Sequence, residues 1–239
     1  YNLKTKSLFA GTEWGGTMQL DASNIRNHER PEFARNQLFQ EGKPLIILGN
    51  HLAVEHPPTA GFNEILHNLP YSSWLLTGDF DPSGNLWLGR QWSGGGLIKM
   101  NWPSPEALEP EFEEMWTKKD GLRNANIWSI WAESQHRVWL GTEEGIFIKT
   151  QNDWIPIPHQ SPDQIYQAMY ILPTTQGEVW VGTDKGIGKI KQGKYFPITT
   201  GTLLDETMVW TMHQDSEGSI RVGTNSYGMY IINDGIINH

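Results

Sequence analysis

Asn85-Leu-Trp-Leu-Gly89, Arg137-Val-Trp-Leu-Gly141, Glu178-Val-Trp-Val-Gly182 and Ser219-Ile-Arg-Val-Gly223 superimpose without a gap. Two looser copies precede them, Ser7-Leu-Phe-Ala-Gly11 and Leu45-Ile-Ile-Leu-Gly49. Aligned on the glycines at 11, 49, 89, 141, 182 and 223, the copies recur at intervals of 38, 40, 52, 41 and 41 residues. A period near forty, sustained along the chain, marks one supersecondary unit stacked repeatedly.

The surroundings of each motif name the unit. Thirteen residues before the glycine stands a large apolar residue, Leu76, Trp128, Met169 or Trp210, in strand-like company such as Ile127-Trp-Ser-Ile-Trp131. A polar turn follows, Asp81-Pro-Ser-Gly84 or Asp215-Ser-Glu-Gly218, whose Asp start and Gly end suit a tight hairpin. After the motif come a Gly-containing turn (Glu143-Glu-Gly145, Asp184-Lys-Gly186) and a third apolar strand. Trp154-Ile-Pro-Ile157 and Tyr195-Phe-Pro-Ile198 close two units as fourth strands, and their prolines place them at an edge. Four short antiparallel strands per forty residues predict an all-β fold, a β-propeller of about six four-stranded blades. A β-solenoid is the rival, with a shorter period and turns less like hairpins. The run Val138-Trp-Leu140 is apolar throughout, as a strand covered on both faces should be. Trp139 and Trp180 are therefore expected between blades, with first strands starting near residues 74, 127, 168 and 208.

The Asp-x-x-Gly turn, the Leu/Val-Trp-Leu/Val-Gly-Thr strand and the following Gly-Ile resemble the two-component regulator propeller repeat. The match is strong over residues 74–149, 166–190 and 208–232 and weaker over 1–70, where Phe9 and Ile47 replace Trp and Pro44 holds the turn-glycine position. The resemblance implies the periplasmic sensor part of a bacterial hybrid histidine kinase, hence a periplasmic or extracellular location and dimerisation through the parent receptor. Residues 1–239 read as one propeller segment whose first copy begins at its second strand. A piece of a longer propeller is expected, with six self-contained blades as the alternative.

Composition narrows the function. A net charge of -9 disfavours nucleic acid and anionic membrane surfaces as partners. With no cysteine, disulfides, Cys-ligated zinc, iron–sulfur centres and thiol catalysis are excluded. The long interval contains Asn101–Trp116, rich in proline and carrying glutamates 106, 109, 111, 113 and 114, and reads as a solvated surface excursion with at most one helical turn. His28, His51 and His56 lack the spacing of a helical zinc pair and read as loop or rim residues, so no metal is expected. Gly-x-Ser-x-Gly, His-Glu-x-x-His and phosphate-loop patterns are missing, and Trp92-Ser-Gly-Gly-Gly96 lies in a strand-to-strand turn. No catalytic residue and no cofactor is assigned.

Repetition itself suggests where ligands would bind. In a propeller, the turns between second and third strands gather on one face with the segments leading into each first strand. These positions form a ring whose chemistry can differ from blade to blade. The turns supply Glu13/Trp14, Asn50/His51, Arg90/Trp92, Glu143/Glu144, Asp184/Lys185 and Asn225/Tyr227; the lead-in segments supply Tyr71/Ser72, Asn124/Asn126, Tyr166/Gln167 and Glu206. Aromatic platforms beside amides and charges suit a polar organic ligand such as an oligosaccharide. The candidate ring is Trp14, Arg90, Trp92, Asn126, Glu143, Tyr166, Lys185 and Tyr227. Arg90 stands where other copies carry Thr142, Thr183 and Thr224, and with Lys185 it suggests an acidic saccharide. The function expected is a non-enzymatic, extracytoplasmic ligand-binding sensor segment; the alternatives are a propeller lyase or glycoside hydrolase and a protein-binding scaffold.

Overall fold

A computed structural model describes residues 74–91, 95–101, 110–123, 126–161, 163–233 and 235–239, together with the backbone of seven strands within residues 8–64. Six antiparallel sheets follow one another along the chain. Blade 1 holds β1 (Leu8–Gly11), β2 (Thr17–Leu20) and β3 (Ile25–His28). Blade 2 holds β4 (Asn36–Leu38), β5 (Ile46–Leu48), β6 (Leu52–His56) and β7 (Gly61–Glu64). Blade 3 holds β8 (Trp74–Phe80), β9 (Leu86–Gln91), β10 (Gly96–Asn101) and β11 (Glu111–Trp116). Blade 4 holds β12 (Ile127–Ser134), β13 (Arg137–Thr142), β14 (Gly145–Thr150) and β15 (Trp154–Ile157). Blade 5 holds β16 (Ala168–Pro173), β17 (Val179–Thr183), β18 (Gly186–Lys191) and β19 (Lys194–Ile198). Blade 6 holds β20 (Val209–Gln214), β21 (Ile220–Thr224), β22 (Met229–Asn233) and β23 (Ile236–Asn238). Every four-stranded blade is a simple meander, and the whole is a β-propeller fold.

The blades stack in chain order. β8 packs on β4 and β5, β12 on β8 and β9, β16 on β12 and β13, and β20 on β16 and β17. First strands thus lie side by side as the innermost strands, starting within a residue of where the repeat puts them. β4 packs on β1 in the same way. Gly49 lies outside the described residues. The Glu-rich stretch expected as an excursion contains an ordered fourth strand: β11 pairs with β10, Glu113 bridges Lys99 at 2.8 Å, and Trp116 stacks on Trp87 at 5.7 Å. A 3-10 turn, Lys118–Asp120, follows, capped by Thr117 and Asp120.

The repeat glycine is set by close approach. A Cβ on Gly141 would come within 2.5 Å of the Ala168 carbonyl oxygen in the next blade, and one on Gly182 within 2.6 Å of Val209. Between these crossings lie the interblade cores. Trp139 packs with Tyr166, Ala168, Ile171, Val181 and Tyr195 of blade 5, and Trp180 with Leu204, Val209, Met212 and Val222 of blade 6. Both tryptophans are buried between blades, as expected. Each indole N–H is satisfied by a carboxylate of its own blade: Trp87 donates to Asp81 at 3.0 Å, Trp139 to Glu133 at 2.7 Å and Trp180 to Glu178 at 3.1 Å. That pairing lets a large amphipathic ring enter the core without stranding its polar atom. In blade 6, Arg221 replaces the tryptophan and bonds Asp215 directly.

Candidate functional site

The threonine ending each motif strand builds the turn toward β14, β18 and β22. Thr142 Oγ1 donates to the Gly145 carbonyl at 2.9 Å and accepts from Glu144 N; Thr183 and Thr224 repeat the pattern with Gly186 and Gly228. Gly186 takes φ 80°, a left-handed value that disfavours side chains, and its N–H donates to Thr207 O of the next lead-in segment at 2.8 Å.

The residue after the threonine holds the lead-in of its own blade. Glu143 Oε1 accepts from Asn126 Nδ2 at 2.9 Å. Asp184 Oδ1 accepts from Gln167 N at 3.0 Å. Asn225 accepts from Trp210 Nε1 at 3.0 Å and donates its N–H to Met208 O. Turns and lead-ins thus share one face in blades 4, 5 and 6, and these acidic and amide side chains fasten the face as well as line it.

On this face β8, β12, β16 and β20 each carry a β-bulge at one repeat position. The register slips between Leu75 and Thr77, Ile127 and Ser129, Ala168 and Tyr170, and Val209 and Thr211. The bulged residues are Leu76, Trp128, Met169 and Trp210, the large apolar residues that precede the glycine by thirteen. A bulge re-aims its side chain out of the alternation of the strand. Here it brings Trp128 of blade 4 edge-on to Trp210 of blade 6, ring centroids 6.2 Å apart at 64°. Blades 4 and 6 are not neighbours, so the pair reaches across the inner side of blade 5, where Met169 is buried beneath it. Trp210 is 45% exposed, whereas the Trp128 Nε1 is buried without a hydrogen-bond partner.

The expected ring is distributed unevenly. Lys185 and Tyr227 are exposed on their turns, and Asn126 and Glu143 are half-buried and joined to each other. Arg90 is 2% exposed, inside blade 3, with Nη1 3.1 Å from Met115 Sδ of β11. Tyr166 is buried as an interblade strut. Its hydroxyl donates to Ile157 O at 2.9 Å and accepts from Ile146 N at 3.3 Å, its ring stacks on Tyr195 at 4.2 Å, and burial pushes its pKa up. Arg90 and Tyr166 therefore belong to the interior of the sheets rather than to the open face. Trp14 and Trp92, like His51, Tyr71, Ser72 and Asn124, lie outside the described residues. The bulge residues were visible in the sequence as a repeated apolar position, but nothing there signalled that two of them meet.

Among the described residues, no group of three His, Asp or Glu side chains is placed to hold a metal ion, and no helix is long and apolar enough to cross a membrane.

No protein-family model matches the chain, and no curated protein matches it. Solved structures do. The extracellular domain of BT4673 from B. thetaiotaomicron, assigned to a hybrid two-component system, superimposes with a TM-score of 0.73 at 18% identity, over 98% of this chain and 31% of that one. PorZ, a surface component of the type-IX secretion system of Porphyromonas gingivalis, gives 0.67 at 15% identity, over 95% and 37%. Virginiamycin B lyase from Staphylococcus aureus, in a catalytically inactive His-to-Ala form with quinupristin, gives 0.67 at 12% identity, over 99% and 85%. The chain spans about a third of the length of the first two. These likenesses establish the propeller fold, and extracellular domains of hybrid two-component systems are among its carriers, in keeping with the resemblance of the repeat.

Proposed function

We propose that this chain is the ligand-binding part of an extracytoplasmic two-component sensor, and that it recognises a polar organic ligand such as an oligosaccharide on the face where turns and lead-ins converge. The observation that carries the reading is the Trp128–Trp210 pair, placed by two bulges, with Asn225 accepting from the Trp210 indole, on the face that also carries Asn126, Glu143 and Tyr227. An exposed indole face beside amide and carboxylate groups provides stacking together with directional hydrogen bonds. The extracellular sensor domains that share the fold support the receptor context. Signalling would follow from the ligand favouring one docking arrangement of the propeller over another, a population shift without bond chemistry.

The lyase neighbour favours a second reading, a propeller enzyme. Of the described histidines at this face, however, His159 is buried with Nδ1 accepting from Ser161 N at 2.9 Å, and His239 Nε2 is held against the Tyr227 carbonyl. Calorimetric titration with neutral and acidic oligosaccharides decides between them. Saturable binding that Trp210→Ala and Asn126→Ala each weaken at least tenfold, with the sugar recovered intact, supports the sensor reading. Binding indifferent to both substitutions, or cleavage of the sugar, overturns it.

A further inference from the structure

A recess of about 490 Å³ opens between blades 5 and 6. Its floor is aliphatic: Ile187, Ile198, Ile220, Ile232 and Ile237 line it, beside the edge of Trp180. The reason for the space is visible in the preceding interface. Between blades 4 and 5, Trp131 lies opposite Trp139 and stacks on it at 5.4 Å, and Tyr195 of β19 fills the other side. The same register positions one blade on hold Leu172, opposite Trp180, and Ile237, opposite Ile232. Leu172 and Ile237 thus take the places of Trp131 and Tyr195, while Tyr230 stands where blade 5 has Gly188, and the blade spacing is kept by the Gly182 crossing. Tyr230 packs within the interblade core and does not line the recess.

The walls are polar and neutral. Thr174, Gln176, Thr199, Thr200 and Gln214 rim the recess. Gln214 holds the rim in shape, donating to Gln176 Oε1 at 2.6 Å and accepting from Thr175 N at 2.9 Å. With its oxygen so engaged, the Gln176 carboxamide keeps its NH2 group for an outside acceptor. The two charged groups in the lining cancel: Lys189 Nζ lies 2.7 Å from Glu178 Oε2 and 4.2 Å from the centroid of Trp180. An aliphatic floor, hydroxyl and amide walls and a neutralised ion pair complement a small molecule with an aliphatic body and an uncharged hydrogen-bonding head. The volume is that of a small-molecule site.

We propose that this interblade recess is a second binding site, distinct from the turn face, for a small neutral amphiphile. A probe without a sugar keeps the test separate from the turn face. 1,2-Octanediol, titrated calorimetrically against the whole chain, should bind saturably at one site, ethylene glycol should not bind, and octanoate should bind at least tenfold more weakly. Ile237→Tyr puts a ring into the floor of the recess and should abolish binding while the protein stays folded. Should that variant fail to fold, Ile198→Lys, which puts a charge on a half-buried part of the floor, should weaken the diol at least tenfold. The proposal is overturned by the absence of saturable diol binding, by octanoate binding as tightly, or by undiminished binding to a folded variant of either kind.

Discussion

The interfaces flanking blade 5 use the same backbone and the same consensus tryptophan, yet one is filled and the other is recessed. Toward blade 4, Trp139 is covered by Tyr166, Tyr195 and Ile171, with Trp131 stacked beside it. Toward blade 6, Trp180 lies in a largely aliphatic cluster that includes Tyr230, and borders an open space. The divergence concentrates at the first-strand residue opposite the tryptophan: Asp79 opposite Trp87, Trp131 opposite Trp139, Leu172 opposite Trp180, and His213 opposite Arg221. A repeat protein must conserve what sets blade spacing, but this position lies apart from the glycine crossing that sets it. It can be carboxylate, indole, alkyl or imidazole without disturbing the stack. Interface character is therefore chosen blade by blade at one site.

The largest effect should come from truncating the two tryptophans. Trp139→Ala removes a ring packed on every side and should cost roughly 3–5 kcal/mol. Trp180→Ala enlarges a space that already exists and should cost less, about 2–3 kcal/mol. Denaturant titration of both variants measures the difference; equal losses would erase the contrast between the interfaces.

Asp79 tests whether the same position can make an interface titrate. Its carboxylate accepts from Ala132 N in blade 4 at 2.8 Å and from Phe80 N at 2.9 Å, but burial dominates and raises its pKa from 3.8 to about 6. A raised folded-state pKa means that the native protein binds the proton more tightly than the unfolded chain. The resulting stability is complete below the unfolded value near 3.8 and is lost as pH rises through about 6. The amount corresponds to about 3 kcal/mol. Stability measured from pH 4 to pH 7 should fall in the wild type relative to Asp79→Asn, in which this contribution is missing. Parallel profiles would show that Asp79 is not the titrating group.

Tyr166→Phe strikes the filled interface alone. Without the hydroxyl, the Ile157 carbonyl and Ile146 N–H lose a partner inside the core, which should cost about 1–3 kcal/mol. The corresponding lead-in of blade 6 holds its contact through backbone, Gly186 N to Thr207 O, so no side-chain deletion there reproduces the loss. A Tyr166→Phe protein as stable as wild type would mean that these groups find other partners.

How much of this was legible follows from what repeats. The strand starts and the crossing glycines recur in every good copy, and the second-strand tryptophan in three of the four, so alignment of Gly89, Gly141, Gly182 and Gly223 is enough to place them. The sequence does not reveal β11 because three of its six residues are glutamates, and its apolar content is confined to Phe112, Met115 and Trp116. Arg90 looked free to grip a ligand because it replaces a turn threonine, but Met115 of that unforeseen strand lies against it. The bulges change a register by one residue and leave no mark in a forty-residue period. The recess depends on Leu172 and Ile237 standing where Trp131 and Tyr195 stand, an equivalence that appears only once pairing registers are known.

The third strand offers the mildest test of the same contrast. Opposite Trp139 stands Ile148, fully buried; opposite Trp180 stands Lys189. The lysine keeps its ammonium 4.2 Å from the indole centroid while pairing with Glu178, whose pKa its hydrogen bond lowers. Glu178 is 46% exposed in its side chain, so solvent and salt screen the pair and its contribution stays small. Lys189→Met keeps the length of the chain and removes both charge contacts, and should cost only about 0.5 kcal/mol. A depressed folded-state pKa for Glu178 means that its share is present above the unfolded carboxylate range and disappears as pH falls through the folded value. The difference between wild type and Lys189→Met should therefore narrow both in acid and at high salt. A difference that survives both conditions would mean that the lysine acts by packing its alkyl chain, as Ile148 does, and the two interfaces would then be alike at this position.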